Sequence, residues 1–137
     1  MRHYAAGFLA FVLLIASFAI LHSEPSKAIA AGADGKAIYD GKCAACHQAT
    51  GQGTPGVFPP LAGNANVTAS NPHDIIDAVK NGLNKPKQIA GKQYSGGMPA
   101  WKGQLSDAEI AAVITYVRSA WGNKASKVAE KDVASAK

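Results

Sequence analysis

Apolar and polar positions along the chain predict an amphipathic helix near its C-terminal end. Ser106-Asp107-Ala108-Glu109 has the pattern of a capping box, which starts a helix. Gly122-Asn123 is a typical helix end. Between these signals one face of the helix is apolar, with residues at three- and four-residue spacing: Ile110, Val113, Ile114, Val117 and Trp121.

Two further helices are predicted by their end signals. Asp34 is placed to cap a short helix that ends near Gly41. A third helix is predicted to begin at Asn71-Pro72, with Asn71 as the cap and Pro72 at the first helical position, and to end near Gly82. Its apolar positions recur at helical spacing: Ile75, Ile76, Val79 and Leu83.

The segments between these helices are rich in Gly, Pro, Asn and Thr. Residues 48–71 and 84–105 are predicted to be loops, and neither alternates strongly enough to indicate a strand. Loops of this length are unusual in a small domain unless they are functional. They would be explained if they wrap a large apolar ligand that completes the core. Residues 124–137, rich in Ala, Lys and Ser, are expected to form a flexible polar tail.

The N-terminal segment has the pattern of an export signal. Arg2 and His3 precede an apolar run over residues 5–21, and Ala28-Ile29-Ala30 provides a cleavage site. We expect a signal peptide over residues 1–30 and a domain over 31–123. An uncleaved membrane anchor is the alternative, because residues 5–21 would span roughly 25 Å of a ~30 Å hydrocarbon core. Either way the domain is expected in the periplasm, soluble after cleavage or tethered by residues 5–21.

The segment Cys43-Ala44-Ala45-Cys46-His47 carries the chemistry. Cys-x-x-Cys-His is the attachment signature of c-type haem, in which each thiol adds to one vinyl group and the imidazole binds the iron. A thioredoxin-like dithiol would need a preceding strand, which is not predicted. A zinc site would need four ligands, and the chain has only two cysteines. The motif therefore predicts one covalent haem.

A haem iron bound by His47 needs a sixth ligand, and Met98 is the expected one. Met1 is the initiator and Met98 the only other methionine of the chain. Glycines before Met98 allow a close backbone approach, and Pro99 stiffens the loop. His73 is the rival ligand, but in the first turn of a helix it is better explained as a solvated side chain.

With these residues in place, the chain from 34 to 123 resembles the class I c-type cytochromes. Gly35 and Tyr39 precede Cys43 at the spacing of that family's N-terminal helix, and the Met98-Pro99-Ala100-Trp101 run is similar to bacterial monohaem domains of respiratory dehydrogenases and oxidases. The resemblance implies an all-α cytochrome c fold: three to four short helices, with long loops wrapped round one covalently bound haem.

The resemblance also implies roles for residues of the 51–63 loop. It implies that the carbonyl of Pro59, or that of Pro60 one residue on, accepts the Nδ1 proton of His47 and fixes the imidazole. It also implies that Leu61 packs on the porphyrin. Tyr94 and Trp101 are candidate donors to the haem propionates, or ordinary packing aromatics.

Two protein axial ligands leave no open position for a substrate, which favours electron transfer over catalysis. We expect a single-electron carrier of a respiratory or periplasmic chain. The alternatives are a haem-bearing subunit of a membrane-bound dehydrogenase or oxidase complex and, less favoured, a haem enzyme or gas sensor.

The net charge is +5. A run of lysines without acids predicts a positive rim for acidic redox partners and no nucleic-acid role: Lys80, Lys85, Lys87, Lys92 and Lys102.

Overall fold

A computed structural model of the chain describes residues 32–137. The predicted signal peptide or anchor over residues 1–30 lies outside this range. The described part contains six helices and one hairpin: α1 (Gly35–Lys42), α2 (Ala44–His47), α3 (Ala65–Thr68), α4 (His73–Asn81), β1 (Lys87–Ile89), β2 (Lys92–Tyr94), α5 (Asp107–Ser119) and α6 (Glu130–Ser135). None of these helices is long and apolar enough to cross a membrane.

Helices α1 and α5 form the main packing unit. Asp34 caps α1 by accepting hydrogen bonds from the backbone N–H groups of Lys36 and Ala37. The capping box predicted at Ser106 is present at the start of α5. The helices approach closely at Gly35, where a Cβ atom would lie 2.7 Å from the carbonyl carbon of Ala112. Glycine is therefore required at this crossing.

The predicted mainly helical architecture is present, with two additions inside the predicted loops. Asn64 caps the single turn of α3 by accepting from the N–H of Asn66. Strands β1 and β2 pair antiparallel, with Lys87 opposite Tyr94. Three-residue strands rich in lysine and glutamine carry too little alternation to be predicted from sequence.

The C-terminal segment, residues 124–137, differs from the expected flexible polar tail. It contains helix α6, and Val133 is fully buried against the core together with Val128. Thr115 of α5 exchanges two hydrogen bonds with the backbone of Val128, at 3.0 and 3.3 Å. Most residues of the segment are polar because they face solvent. The two buried valines are enough to dock the segment on the core.

A buried arginine ties this segment to the rest of the fold. Arg118 of α5 is 0 % exposed, and its guanidinium donates to the carbonyl oxygens of Val67, Ala69 and Ser126 at 2.7–2.9 Å. A guanidinium presents several donors in a fixed plane, which suits three backbone acceptors better than one carboxylate. The start of the C-terminal segment is thereby fixed against α5 and the end of α3.

Candidate functional site

The two cysteines lie on one tight turn, Cys43 at the junction of α1 and α2 and Cys46 within α2. Cys43 is the junction residue, and its carbonyl accepts hydrogen bonds from the N–H groups of Cys46 (3.1 Å) and His47 (3.0 Å). Both thiols are free and partly buried. Burial, with a smaller contribution from Cys46, raises the pKa of Cys43 to about 11. A dithiol redox centre needs a lowered thiol pKa, so this geometry does not favour thioredoxin-like chemistry.

His47 is held in one orientation by the loop that follows it. Its side chain is 8 % exposed, and Nδ1 lies 3.0 Å from the carbonyl oxygen of Pro59. The neighbouring carbonyl of Pro60 instead accepts from the amide of Asn64. Burial lowers the pKa of His47, and the hydrogen bond to Pro59 offsets part of that effect. The neutral imidazole, with Nδ1–H donating to Pro59, keeps Nε2 available for a metal.

The loop over residues 51–63 is folded by its own backbone. The carbonyl of Gly51 accepts from the N–H groups of Leu61 (2.7 Å) and Ala62 (3.0 Å), and the N–H of Gly53 donates to the carbonyl of His47. Gly53 has a φ of +65°, and a Cβ there would lie 2.7 Å from the carbonyl carbon of Pro59. These contacts set the position of Pro59 beneath the imidazole.

Met98 reaches the site from a distant part of the chain. It forms an isolated antiparallel bridge with Leu83, in which both N–H···O distances are 2.9 Å. The loop is also fixed by the N–H of Trp101, which donates to the carbonyl of Val79 at the end of α4. The Met98 side chain lines the same cavity as Cys43 and His47.

This cavity is deep and mostly apolar, and it has two adjoining parts that share several walls. One part is lined by Leu61, Val79, Leu105, Val113 and Ile114 together with Cys43, His47 and Met98. The other contains Cys46, Phe58 and Tyr94. Two thiols, an imidazole and a thioether around one apolar cavity fit a covalently attached haem. Within residues 32–137, no cluster of three or more His, Cys, Asp or Glu side chains offers a zinc site.

Tyr94 and Trp101 both line the cavity near its lysine-rich side. Tyr94 is buried and Trp101 partly buried, and Lys42 lies over the Trp101 ring with Nζ 5.7 Å from its centroid. Each side chain carries one hydrogen-bond donor, a hydroxyl or an indole N–H, that suits an acidic group of a ligand.

The lysines only partly follow the sequence prediction, whereas His73 is solvated as expected. Lys85 and Lys87 line the cavity, as does Lys42, which the prediction omitted. Lys80 is buried and points to the C-terminal segment, so it does not belong to a positive rim. His73 is exposed beside Asp74 and lines no part of the cavity.

Sequence reasoning also missed a residue that supports the site. Asn123 was expected only to end a helix. Its amide donates to the carbonyls of Leu61 (3.0 Å) and Val117 (2.8 Å) and accepts from the N–H of Gly63 (2.9 Å). It therefore joins the loop carrying Pro59 and Leu61 to the end of α5. An asparagine after a helix indicates a cap but does not reveal a partner sixty residues away.

Comparison with known proteins agrees with this site. A family model described as Cytochrome c matches residues 32–121. Cytochrome c-552 of Thermus thermophilus is 45% identical over 96 residues, which cover 68% of this chain and 64% of that protein. The cytochrome c subunit of the quinone alcohol dehydrogenase of Gluconobacter oxydans is 38% identical over 69% of this chain and 20% of its own length.

A third relative has a similar partial match. The Cbb3-type cytochrome c oxidase subunit CcoP of Azospirillum brasilense is 30% identical over 80% of this chain and 35% of its own length. The matched region thus spans a little under two thirds of the Thermus protein and 20% and 35% of the two complex subunits.

Proposed function

We propose, since this chain belongs to the cytochrome c family and has haem c as its covalent cofactor, that it is a single-electron carrier. The observation that carries the proposal is that His47 and Met98 line the same apolar cavity as the two thiols. If both side chains ligate the haem iron, a substrate would have to displace one of them to reach the metal. The arrangement therefore supports electron transfer and not catalysis.

Cys43 and Cys46 would hold the cofactor covalently. Each thiol would add across one vinyl group of the haem, giving its proton to one vinyl carbon and bonding its sulfur to the other. The two residues lie on one turn, closed by hydrogen bonds to the Cys43 carbonyl. Covalent attachment keeps the cofactor in place outside the cytoplasm, where a lost haem would not be recovered.

His47 and Met98 would be the axial ligands. The carbonyl of Pro59 fixes the tautomer of His47 and leaves Nε2 for the iron. When bound, the haem iron accepts and releases one electron, and His/Met ligation raises its reduction potential. The apolar walls, including Leu61 and Val79, exclude water from the cavity and disfavour the more highly charged oxidised state.

Tyr94 and Trp101 would donate hydrogen bonds to the haem propionates. Both residues line the part of the cavity that Lys42, Lys85 and Lys87 also line, and each side chain carries one hydrogen-bond donor, which supports the role. A reduction potential that is identical in the wild type and in Tyr94→Phe would count against it.

The redox partners are proposed to be acidic proteins that dock at the lysine-rich side of the cavity. Lys42, Lys85 and Lys87 line this side, and Lys92 and Lys102 are exposed nearby in sequence. We place the protein in the periplasm because an apolar run over residues 5–21 and the Ala28-Ile29-Ala30 site precede the domain.

A second function is favoured by the relatives that are subunits of larger enzymes. Two of them are named as cytochrome subunits of a quinone alcohol dehydrogenase and of a cbb3-type oxidase. This chain would then pass electrons within such a complex. Stable co-purification with a dehydrogenase or oxidase from native membranes would support the subunit role, whereas isolation as a monomer from the periplasmic fraction would support the carrier.

Replacing the proposed sixth ligand tests the function directly. Met98→Ala should abolish the sulfur–iron absorption band of the oxidised protein and lower the reduction potential. Carbon monoxide should bind strongly to the reduced variant and weakly to the reduced wild type. Leu83→Ala, which keeps the backbone bridge to Met98, is the control and should retain the band. An unchanged spectrum in Met98→Ala, or strong carbon monoxide binding by the wild type, would contradict the proposal.

The attachment reaction is tested separately by intact mass. Cys43→Ser or Cys46→Ser should remove one of the two thioether bonds and sharply reduce the yield of haem-bearing protein. Ala45→Ser, in the same motif, should leave the yield unchanged. Full covalent loading in either cysteine variant would contradict attachment through both thiols.

A further inference from the structure

Lys80 is a buried cation with no acidic partner in the described part of the chain. It lies in the last turn of α4 and is 4 % exposed. Its ammonium group donates to the carbonyl oxygens of Val133 (2.7 Å) and Ala136 at the end of α6. The Val133 carbonyl also accepts from the N–H of Ala136 at 3.2 Å, and a carbonyl oxygen has two lone pairs, so it can accept both bonds. Asn81 adds a bond to the carbonyl of Lys137.

The same turn of α4 carries the Met98 loop on another side. The carbonyl of Val79 accepts from the N–H of Trp101, and the carbonyl of Lys80 accepts from the N–H of Lys102, both at 3.1 Å. Three residues after Lys80, Leu83 makes both backbone bonds of the bridge to Met98. The end of α4 therefore bonds to the Met98 loop through its backbone and to the C-terminal segment through the Lys80 side chain.

The C-terminal segment is itself fixed to the core. Thr115 bonds the backbone of Val128, Arg118 bonds the carbonyl of Ser126, and Val133 is fully buried. A continuous series of contacts thus runs from α5 through the C-terminal segment and Lys80 to the bridge at Met98. Bonds to a charged group are among the stronger hydrogen bonds in proteins, and a buried cation left without acceptors is costly.

We infer that Lys80 and the C-terminal segment position Met98 in the cavity. Lys80 is a positioning residue that acts through the last turn of α4, and the inference rests on the proposed ligation by Met98. Loss of the bonds from Lys80 frees this turn to move, and the Met98 loop then leaves the cavity in a larger fraction of molecules. In this way the C-terminal segment, which lines no part of the cavity, would help to keep Met98 in place as a ligand.

Imidazole binding to the oxidised holoprotein measures this fraction. Imidazole competes with Met98, so its apparent affinity rises in proportion to the population in which Met98 is displaced. In Lys80→Met we expect an affinity about tenfold higher than in the wild type. The amide hydrogens of Leu83 and Met98 should exchange with solvent faster by a similar factor.

A second variant keeps Lys80 but weakens the packing of the segment whose carbonyls accept its hydrogen bonds. Val133→Ala should also raise the imidazole affinity, and the double variant should show less than the sum of the two effects, because both act on one connection. This variant also tests the inference if Lys80→Met fails to fold.

Two controls separate positioning from general loss of stability. Lys131→Met removes an exposed lysine of the C-terminal segment. Asp34→Ala removes the cap of α1 and lowers global stability without touching α4. Neither control should change the imidazole affinity, even where the midpoint of denaturation falls as far as in Lys80→Met.

The outcomes distinguish this inference from the function on which it rests. A wild-type protein without the sulfur–iron band would overturn both. A wild type with the band, together with unchanged imidazole affinity in Lys80→Met and Val133→Ala, would overturn the positioning role alone. An equal rise in Asp34→Ala would also overturn it, because the effect would then follow stability and not this connection.

Discussion

Gly35 shows how one residue controls the packing of the two principal helices. A Cβ atom at this position would lie 2.7 Å from the carbonyl carbon of Ala112 and 3.0 Å from the Cβ of Tyr116. Backbone atoms of a helix cannot yield as a flexible side chain can. The absence of a side chain therefore fixes the distance between α1 and α5.

Gly35→Ala should lower the free energy of unfolding by about 2–3 kcal/mol, because the helices must separate to admit the methyl group. Gly41→Ala is the matched control, since Gly41 lies in the same helix with nothing near its missing Cβ. It should be neutral or gain about 0.5–1 kcal/mol. Chemical denaturation of the two holoproteins measures the difference, and equal stabilities would contradict the steric explanation.

At the residue scale, the sequence predicted those site residues that form a contiguous motif or belong to a type that is rare in the chain. Cys43, Cys46 and His47 follow from a five-residue motif, and Met98 follows because the chain has no other internal methionine. The roles of Lys80 and Asn123 could not be predicted, because each depends on backbone carbonyls more than fifty residues away. A lysine in a sequence indicates a solvated charge unless its acceptors are known.

At the scale of elements, the start of helix α5 is determined by side-chain hydrogen bonds in its first turn. The Ser106 hydroxyl accepts from the N–H of Glu109, and the Glu109 carboxylate accepts from the N–H of Ser106 at 2.8 Å. These hydrogen bonds lower the pKa of Glu109. The cap starts the helix that supplies Val113, Ile114 and Val117 to the cavity wall.

Ser106→Ala should lower the free energy of unfolding by about 1 kcal/mol through loss of the cap. Ser119→Ala, at the exposed end of the same helix, should change it by less than about 0.5 kcal/mol. Thermal or chemical denaturation of both variants near neutral pH checks the comparison. Equal losses would show that the cap does not determine the stability of α5.

Glu109 adds a pH dependence with a definite sign. Its folded pKa lies below the unfolded value of 4.5, so the folded state binds fewer protons between the two values. The stabilisation is fully present above pH 4.5 and is lost as the pH falls through the lower folded pKa. Glu109→Gln should flatten this part of the curve of stability against pH, and a curve identical to that of the wild type would contradict the assignment.

The elements missed from sequence are short ones whose formation depends on tertiary contacts. Helix α6 has only six residues and is docked by Val133, while β1 and β2 have three residues each. Segments of this length do not form alone, so their sequences carry little periodicity. Helix α5, which has thirteen residues, starts where the capping box predicted, but it ends at Ser119, so Trp121 lies beyond it although the sequence placed Trp121 on its apolar face.

At the scale of the whole molecule, positive charge on the cavity side should govern encounters with redox partners. The chain has a net charge of +5, and Lys42, Lys85 and Lys87 line the cavity. Charges near the contact dominate because screening limits their range to about 10 Å at moderate salt. Attraction to an acidic surface should consequently weaken as salt is added.

Lys85→Glu should slow electron exchange with an anionic metal–cyanide complex and reduce its dependence on ionic strength. Lys127→Glu makes the same change in net charge on the C-terminal segment, which lines no part of the cavity, and should have a smaller effect. Stopped-flow rates at several salt concentrations measure both. Equal effects of the two variants would show that total charge, and not its location, controls the encounter.

The turn that carries Cys43, Cys46 and His47 has a consequence for the order of assembly. All three groups lie within five successive residues, and the hydrogen bonds that close the turn are local. Met98, in contrast, reaches the cavity only after its loop has paired with Leu83 and α4 has docked. Cofactor attachment would therefore need only the short segment around this turn, whereas ligation by Met98 would need the finished fold. We expect nascent molecules to acquire colour first and their mature spectrum later.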